Sequence, residues 1–428
     1  MRKMKDSGVE WVGEIPEHWE IIKLKYLIDS PLQYGANESG VEYDENLPRY
    51  IRITDITSDN KLKEENKLSL PYETAKSYLL KNNDILFARS GATVGKSFIY
   101  KSKYGISAFA GYLIKASIKK NVSPDFVYYY TLGSHYELWK DIIATQSTIQ
   151  NIGADKYNNL IVALPPVTEQ EKISAYLDKK CGQIDKIIDI KKQQIELIKE
   201  YKKTLISETV TKGLDKNVKL KDSGVEWLGN IPEHWEIQKI KRLFTLRDEK
   251  NYRPLSEVQL LSLYAEIGVF PHGEHKEKGN KAVNADEYKI VKKNDIVVNI
   301  LLAWMGAIGV SDYEGVTSPA YDVYIPEMSK VVPHYYHYVL RTQEIANECY
   351  KYGRGIQAMR WRTYSNEFKQ IIVPNPPIKE QEEISAYLDK KCNDIDKIIS
   401  LKNQQIELLK EYKKSLIYEV VTGKKELN

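Results

Sequence analysis

Several short stretches of this 428-residue chain carry residue types at spacings that could do chemistry. Gly91-Ala92-Thr93-Val94-Gly95-Lys96-Ser97 sets glycines, a lysine and a hydroxyl in the order used to cradle phosphates. Only three residues separate its glycines where such a loop needs four, and the later stretch Gly306-Ala307-Ile308-Gly309-Val310 has no lysine. A hairpin turn is the better reading, with Arg89, Ser90, Thr93 and Lys96 facing a ligand. Asn375-Pro376-Pro377-Ile378 has the order of an adenine-holding Asn-Pro-Pro-aromatic motif, but Ile378 stands at the aromatic position and the matching stretch upstream is Leu164-Pro165-Pro166-Val167. No glycine-rich signature for S-adenosylmethionine accompanies it, so the prolines are read as ending a strand and starting a helix. His272-Gly-Glu-His275 and His334-Tyr-Tyr-His337 have metal-binding spacings that no cysteine or carboxylate cluster completes.

Two polar, basic segments are more informative. Thr145 to Asn151 and Tyr352 to Arg362 concentrate side chains that pair with base edges and phosphates: arginine with guanine, glutamine and asparagine with adenine, threonine methyls with thymine. The candidate DNA-contacting residues are therefore Arg89, Ser90, Thr93, Lys96, Gln146, Thr148, Gln150, Asn151, Arg354, Gln357, Arg360 and Arg362. Charge alone decides nothing, because 63 basic residues against 59 acidic ones leave a formal +4. With 42% hydrophobic residues the chain can build real cores. Three cysteines are too few for a disulfide framework, no signal-like stretch opens the chain, and the most apolar run, Ile296 to Val310, is too short to span a bilayer. A soluble protein of a reducing compartment, with no membrane contact, is expected.

The elements that must position these residues come in duplicate. Lys5 to Glu20 and Lys221 to Glu236 agree at 14 of 16 positions, and Glu169 to Thr211 and Glu380 to Thr422 at 33 of 43. Each copy runs short tag, divergent middle, long matching segment, which is a duplicated domain. The matching segments read as long helices. Leu177, Cys181, Ile184, Ile188, Ile195, Ile198 and Leu205 fall on a heptad seam interrupted by Lys191 and Lys202. The second seam runs through Leu388, Cys392, Ile395, Ile399, Ile406, Leu409 and Leu416, with Lys402 and Lys413 at the same two stations. Thr168-Glu169-Gln170-Glu171 has a capping-box pattern, and Gly213 and Gly423 suit left-handed C-terminal positions. Two such helices are expected to pair antiparallel about an approximate two-fold axis. The middles read as mixed α/β globules with short strands at Asp84 to Ala88 and Asp295 to Asn299, and helices after Pro124 and Pro333.

The chain resembles the specificity subunits of Type I restriction-modification enzymes. The resemblance rests on the repeated SGVEWVGEIPEHWE tag, the LPPVTEQEKI and NPPIKEQEEI helix entries, DILFARSGATVGKS at Asp84 to Ser97 and AWMGAIGVSDYEGVTSPAYDVY at Ala303 to Tyr324. It implies an α+β fold: two mixed α/β target recognition domains in a pseudo-two-fold tandem repeat, joined by two long antiparallel coiled-coil helices. The expected domains are 1–166, 167–213, 214–377 and 378–428, recognition domain and helix in alternation. The resemblance further implies a cytoplasmic, non-catalytic subunit in which each domain reads one half of a bipartite double-stranded DNA site. Its partners would be two modification subunits carrying S-adenosylmethionine and restriction subunits using ATP and magnesium, with no cofactor in this chain. The outer surface of the helices, including Glu169 and Gln170, is where modification subunits are expected. A DNA-acting enzyme in its own right and a non-reading scaffold are the alternatives.

Overall fold

The computed structural model describes residues 2–57, 59–91, 93–145, 151–265, 267–273, 285–355 and 361–427. They form two compact units, Met1–Lys192 with Asn403–Asn428 (unit 1) and Gln193–Lys402 (unit 2).

In unit 1 an Asn-Asp pair launches the central strand. Asn83 adopts a left-handed backbone, φ 72°, and the Asp84 carboxylate accepts the Lys81 amide at 2.8 Å. The chain is thereby turned into Ile85–Ala88, a strand buried at all four residues. It pairs antiparallel with Leu113–Ala116 on one side and Ser97–Ile99 on the other, and Gln33–Tyr34 closes the far edge. A second sheet orders Ser107–Phe109, Arg49–Ile51, Leu68–Ser69 and Val41–Glu42, its first pair parallel.

Unit 2 uses the same device. Asn294 has φ 73°, Asp295 accepts the Lys292 amide at 2.7 Å, and the strand Ile296–Asn299 lies between Tyr321–Pro326 and Ile308–Val310, with Phe244–Leu246 at the edge. This explains why the Asn-Asp patches survive in otherwise divergent middles. The buried aspartates differ in their partners: Asp84 accepts the Ser117 hydroxyl at 2.7 Å, whereas Asp295 is held bidentately by Arg247 at 2.8 and 2.9 Å. Helices Pro124–Tyr130 and Pro333–Val339 follow the two prolines, each with proline in its first turn.

The long helices span Val167–Lys212 and Ile378–Val421. The Thr168 capping box does not form. Pro165-Pro166 ends the strand Ile161–Leu164, the Pro166 carbonyl accepts the amides of Glu169 and Gln170 at 2.9 and 3.0 Å, and Thr168 lies inside the first turn. At the far ends Gly213 and Gly423 take left-handed φ of 76° and 71°.

Leu177, Ile184, Ile188, Ile195, Leu388, Ile395, Ile406 and Leu416 are buried, and Ile198, Leu205, Ile399 and Leu409 are partly so. In unit 1 Lys413 donates to Asp185 at 2.7 Å and Lys191 to Gln405 at 2.6 Å. In unit 2 Lys202 donates to Asp396 and Lys402 to Gln194, both at 2.7 Å. Within each unit the partner's number falls as the helix number rises, so the paired segments run antiparallel. The four lysines that interrupt the seam are its register marks: their stems pack in it while the ammonium groups reach polar partners on the facing helix.

Candidate nucleic-acid interface

The repeated tag holds each recognition module to the helices. In unit 1 fully buried Trp19 donates to the Glu169 carboxylate at 3.2 Å, with His18 at 2.9 Å and Arg2 on the same group. Burial would raise the Glu169 carboxyl, but these three partners hold it below the ordinary carboxylate value. In unit 2 Trp235 and His234 meet Glu380 at 2.9 and 2.7 Å. Gln170 and Gln381 are buried at 1% and 0% exposure. Their carbonyls accept the Ser123 and Val332 amides, each at 2.8 Å, at the entries of the Pro124 and Pro333 helices. Glu169 and Gln170 are thus occupied in fixing the module, which corrects the expectation that they offer an outer surface for partners.

Outside that frame, each unit has a late loop tied to the end of its central strand. In unit 1 the Ile152 amide donates to the Arg89 carbonyl at 2.8 Å, and Ser90 bridges Asn151. Asn151 and Ile152 are therefore tied to the end of the central strand. The Arg89 guanidinium stacks 4.9 Å from the Tyr34 ring, and Tyr112, 61% exposed, flanks it and accepts the Arg89 amide at 3.0 Å. Arg89 Nε and Asn151 Oδ1 are buried polar atoms without a partner among the described residues, the condition in which a bound hydrogen-bonding group is most strongly favoured.

Thr93 and Lys96 lie elsewhere. The strands Ile85–Ala88 and Ser97–Ile99 pair as an antiparallel hairpin, and Lys96 Nζ donates to the Thr57 carbonyl at 2.6 Å. Burial lowers its ammonium pKa. Both residues line a cleft of about 570 Å³ against Asp185, Ile188 and Lys413 of the long helices, with basic and acidic side chains mixed. Arg89 and Asn151 are not among the residues lining this cleft.

In unit 2 the Thr363 amide donates to the Ile300 carbonyl at 2.9 Å. Ile300 and Arg89 both follow the central strand directly, so the two loops are tied at equivalent places. Arg354 and Arg362 exchange backbone hydrogen bonds at 3.0 Å, and exposed Arg354 pairs with Glu367 and lies 5.6 Å from the Tyr364 ring. Tyr350 stacks on Trp361 at 4.7 Å and meets Trp304 edge-on at 6.0 Å. Sequence reasoning missed Tyr34, which reaches the site from a distant strand, and the aromatic row, whose members are scattered between positions 304 and 361. Gln146, Thr148, Gln150, Gln357 and Arg360 lie outside the described residues.

Other sequence candidates have structural roles. Asn375 accepts the Tyr336 hydroxyl at 2.9 Å; half-buried His337 lies beside Arg341, while His334 faces Asp312. Among the described residues no cluster of three metal-ligating side chains occurs, and no helix is long and apolar enough to cross a membrane. Cys181, Cys349 and Cys392 are free and buried.

Two modules of one frame, each with a late loop tied to the end of its central strand and arginine at or on that tie, define a tandem recognition protein. The family model described as the type I restriction modification DNA specificity domain matches residues 16–200 and 232–410. The chain belongs to this family and is a DNA-recognition subunit, a non-catalytic class of component. It is 23% identical to the type I restriction enzyme MjaVIII specificity subunit of Methanocaldococcus jannaschii, over 96% of this chain and 93% of that protein. It is 26% identical to the putative MjaX specificity subunit of the same organism, over 96% and 95%. Its fold matches a chain from a study of complex assembly and conformational transition in the type I R-M system, with TM-score 0.68, 12% identity and 95% and 98% coverage. The HsdS subunit from Thermoanaerobacter tengcongensis matches with TM-score 0.51, 13% identity and 96% and 98% coverage.

Proposed function

We propose that each unit reads one half of a bipartite duplex target, and that the helices running from one unit into the other set the spacing between the halves. The observation that carries this is the shared hydrogen bond from the late loop to the residue after the central strand, Ile152 to Arg89 and Thr363 to Ile300, within a frame that is otherwise duplicated. Arg89, at the tie in unit 1, and Arg354 and Arg362, on the tied loop of unit 2, are then the proposed readers of base edges, and the frame has no sequence-reading role.

Methyl transfer from S-adenosylmethionine and ATP- and magnesium-dependent cleavage then belong to partner chains in the cytoplasm: two modification subunits and accompanying restriction subunits. Exposed apolar side chains on the long helices support a seat for the modification subunits. Ile187, Ile190, Leu408 and Tyr412 form such a set in unit 1, and Leu197, Tyr201, Ile398 and Leu401 in unit 2. Co-expression with a modification subunit, followed by genome-wide mapping of methylated adenines, tests the reading. Two short defined halves around an undefined spacer are expected, and a continuous target contradicts it. Methyl transfer or cleavage by the purified chain alone would establish the enzyme reading instead.

A further inference from the structure

Just beyond the position equivalent to Arg89, unit 2 presents exposed hydrocarbon. The central strand Ile296–Asn299 runs into a single helical turn, Ala303–Met305, closed by Gly306 at φ 81°. Leu302 and Met305 on this turn are 43% and 57% exposed. Large apolar side chains standing together at the end of a fixed turn call for a partner surface.

The turn is held from behind. Trp304 donates its indole N–H to the Leu301 carbonyl at 3.0 Å and packs on Tyr350, which stacks on Trp361. Trp361 in turn donates to the Tyr350 carbonyl at 2.9 Å. Gly353 admits this stack, since a Cβ there would lie 2.4 Å from the Trp361 ring. The tip is thus preorganised, and Arg362, next to Trp361 in the chain, adds a basic side chain to the loop that carries the aromatic row.

We propose that Met305 and Leu302 read thymine in the half-site of unit 2, by apolar contact with its C5 methyl group. This rests on the reading of the chain as a DNA-recognition subunit with one half-site per unit. The thymine methyl is the apolar feature of the base edges in the major groove, and the other groups there are hydrogen-bond donors and acceptors. A leucine–methionine tip offers those groups nothing and would leave them desolvated without a partner. Unit 1, with the Arg89 guanidinium on the Tyr34 ring, reads by hydrogen bonding and has no equivalent requirement.

The test uses the assembled complex with its modification subunits and a duplex carrying the mapped target, with the half read by unit 2 assigned by module exchange. Thymines of that half are replaced by deoxyuridine, which removes the methyl alone. Binding should weaken about fourfold for each contacted methyl, and the same replacement in the other half should leave it unchanged. Met305→Ala should weaken binding of the thymine duplex by a similar factor or more and abolish the difference between thymine and uracil, while Met305→Leu retains it. A half-site without thymine, equal affinity for thymine and uracil duplexes, or a Met305→Ala complex that still distinguishes them overturns the proposal. A loss on Met305→Ala with no uracil effect also overturns it and points to an apolar wedge between base steps. Failure of the wild-type complex to prefer the unmodified target would instead overturn the underlying reading of the chain.

Discussion

The two units solve the same folding problem with the same frame and then part company at the surfaces that meet the target. Trp19 and Trp235 clasp Glu169 and Glu380, and Tyr129 and Tyr338 donate to Asp178 and Asp389 at 2.6 and 2.7 Å. The tips differ: a stacked arginine with unpartnered polar atoms in unit 1, an apolar turn on an aromatic row in unit 2. The difference extends down to the helices. His135 of unit 1 lies 5.6 Å from the ring of Tyr418, while Glu344, at the equivalent place in unit 2, accepts the Ser207 hydroxyl at 2.8 Å. Ser207 and Tyr418 are one of the few positions where the duplicated helices disagree. At Ser207 and Tyr418 the duplicated helices differ where each touches a divergent middle.

The sharpest way to break this comparison is at the buried acids. Arg247→Ala strands the Asp295 carboxylate, 2% exposed, in the core of unit 2. It should cost about 3 to 5 kcal/mol, measured by denaturant unfolding. Ser117→Ala at the matching acid of unit 1 removes one hydrogen bond to a charged group and should cost about 1.5 to 3 kcal/mol. Equal losses would mean the units carry their central acids in the same way.

At the tip of unit 1, Arg89→Ala should reduce specific binding by about 1 to 3 kcal/mol and relax one position of the target. Uniform weakening across unrelated sequences would mark Arg89 as a phosphate contact.

Imidazoles depressed by burial, His135 in unit 1 and His337 in unit 2, predict an acid response in both units, and His135 carries the part that belongs to the helix junction of unit 1. Burial, and then Lys424, lower the His135 imidazole to about 3 from 6.5. Between those values the unfolded chain binds a proton that the folded one refuses, so stability falls as pH drops below 6.5. The loss from this group at about pH 5 should be about 2 kcal/mol. His135→Phe should remove that part of the pH dependence of unit 1 and leave unit 2 unchanged, as followed by thermal melts over the pH range.

The seam lysines give the smallest effect and the closest test of equivalence. Double-mutant cycles on Lys413–Asp185 and Lys202–Asp396 should return about 0.2 to 1 kcal/mol each, equal within error because the pairs are partly exposed and related by the duplication.

Much of the frame was legible in the sequence because repetition separates it from the rest. The heptad stations, the helix-ending glycines and the Asn-Asp strand starts are local patterns, and each forms where its spacing places it. The tips were legible only in part. Arg89 and Asn151 could be named from residue type, and the structure brings them together; Thr93 and Lys96 could be named equally well, yet the hairpin turns Lys96 onto the Thr57 carbonyl. Residue type does not reveal which side of a turn faces outward. The Trp304–Tyr350–Trp361 row and the Tyr34–Arg89 stack depend on tertiary pairing of distant segments, and so does the use of Glu169 and Gln170 inside the clasp. The seam lysines were visible as defects, but their partners emerged only with the antiparallel register.

Exchanging the segment Lys25 to Leu164 for the corresponding segment of another specificity subunit, then mapping methylated adenines in cells that supply the modification subunit, tests the central claim most directly. The account predicts that one half of the recognised site changes while the other half and the spacer length are retained. A change in both halves, or methylation at the original site unaltered, would contradict it.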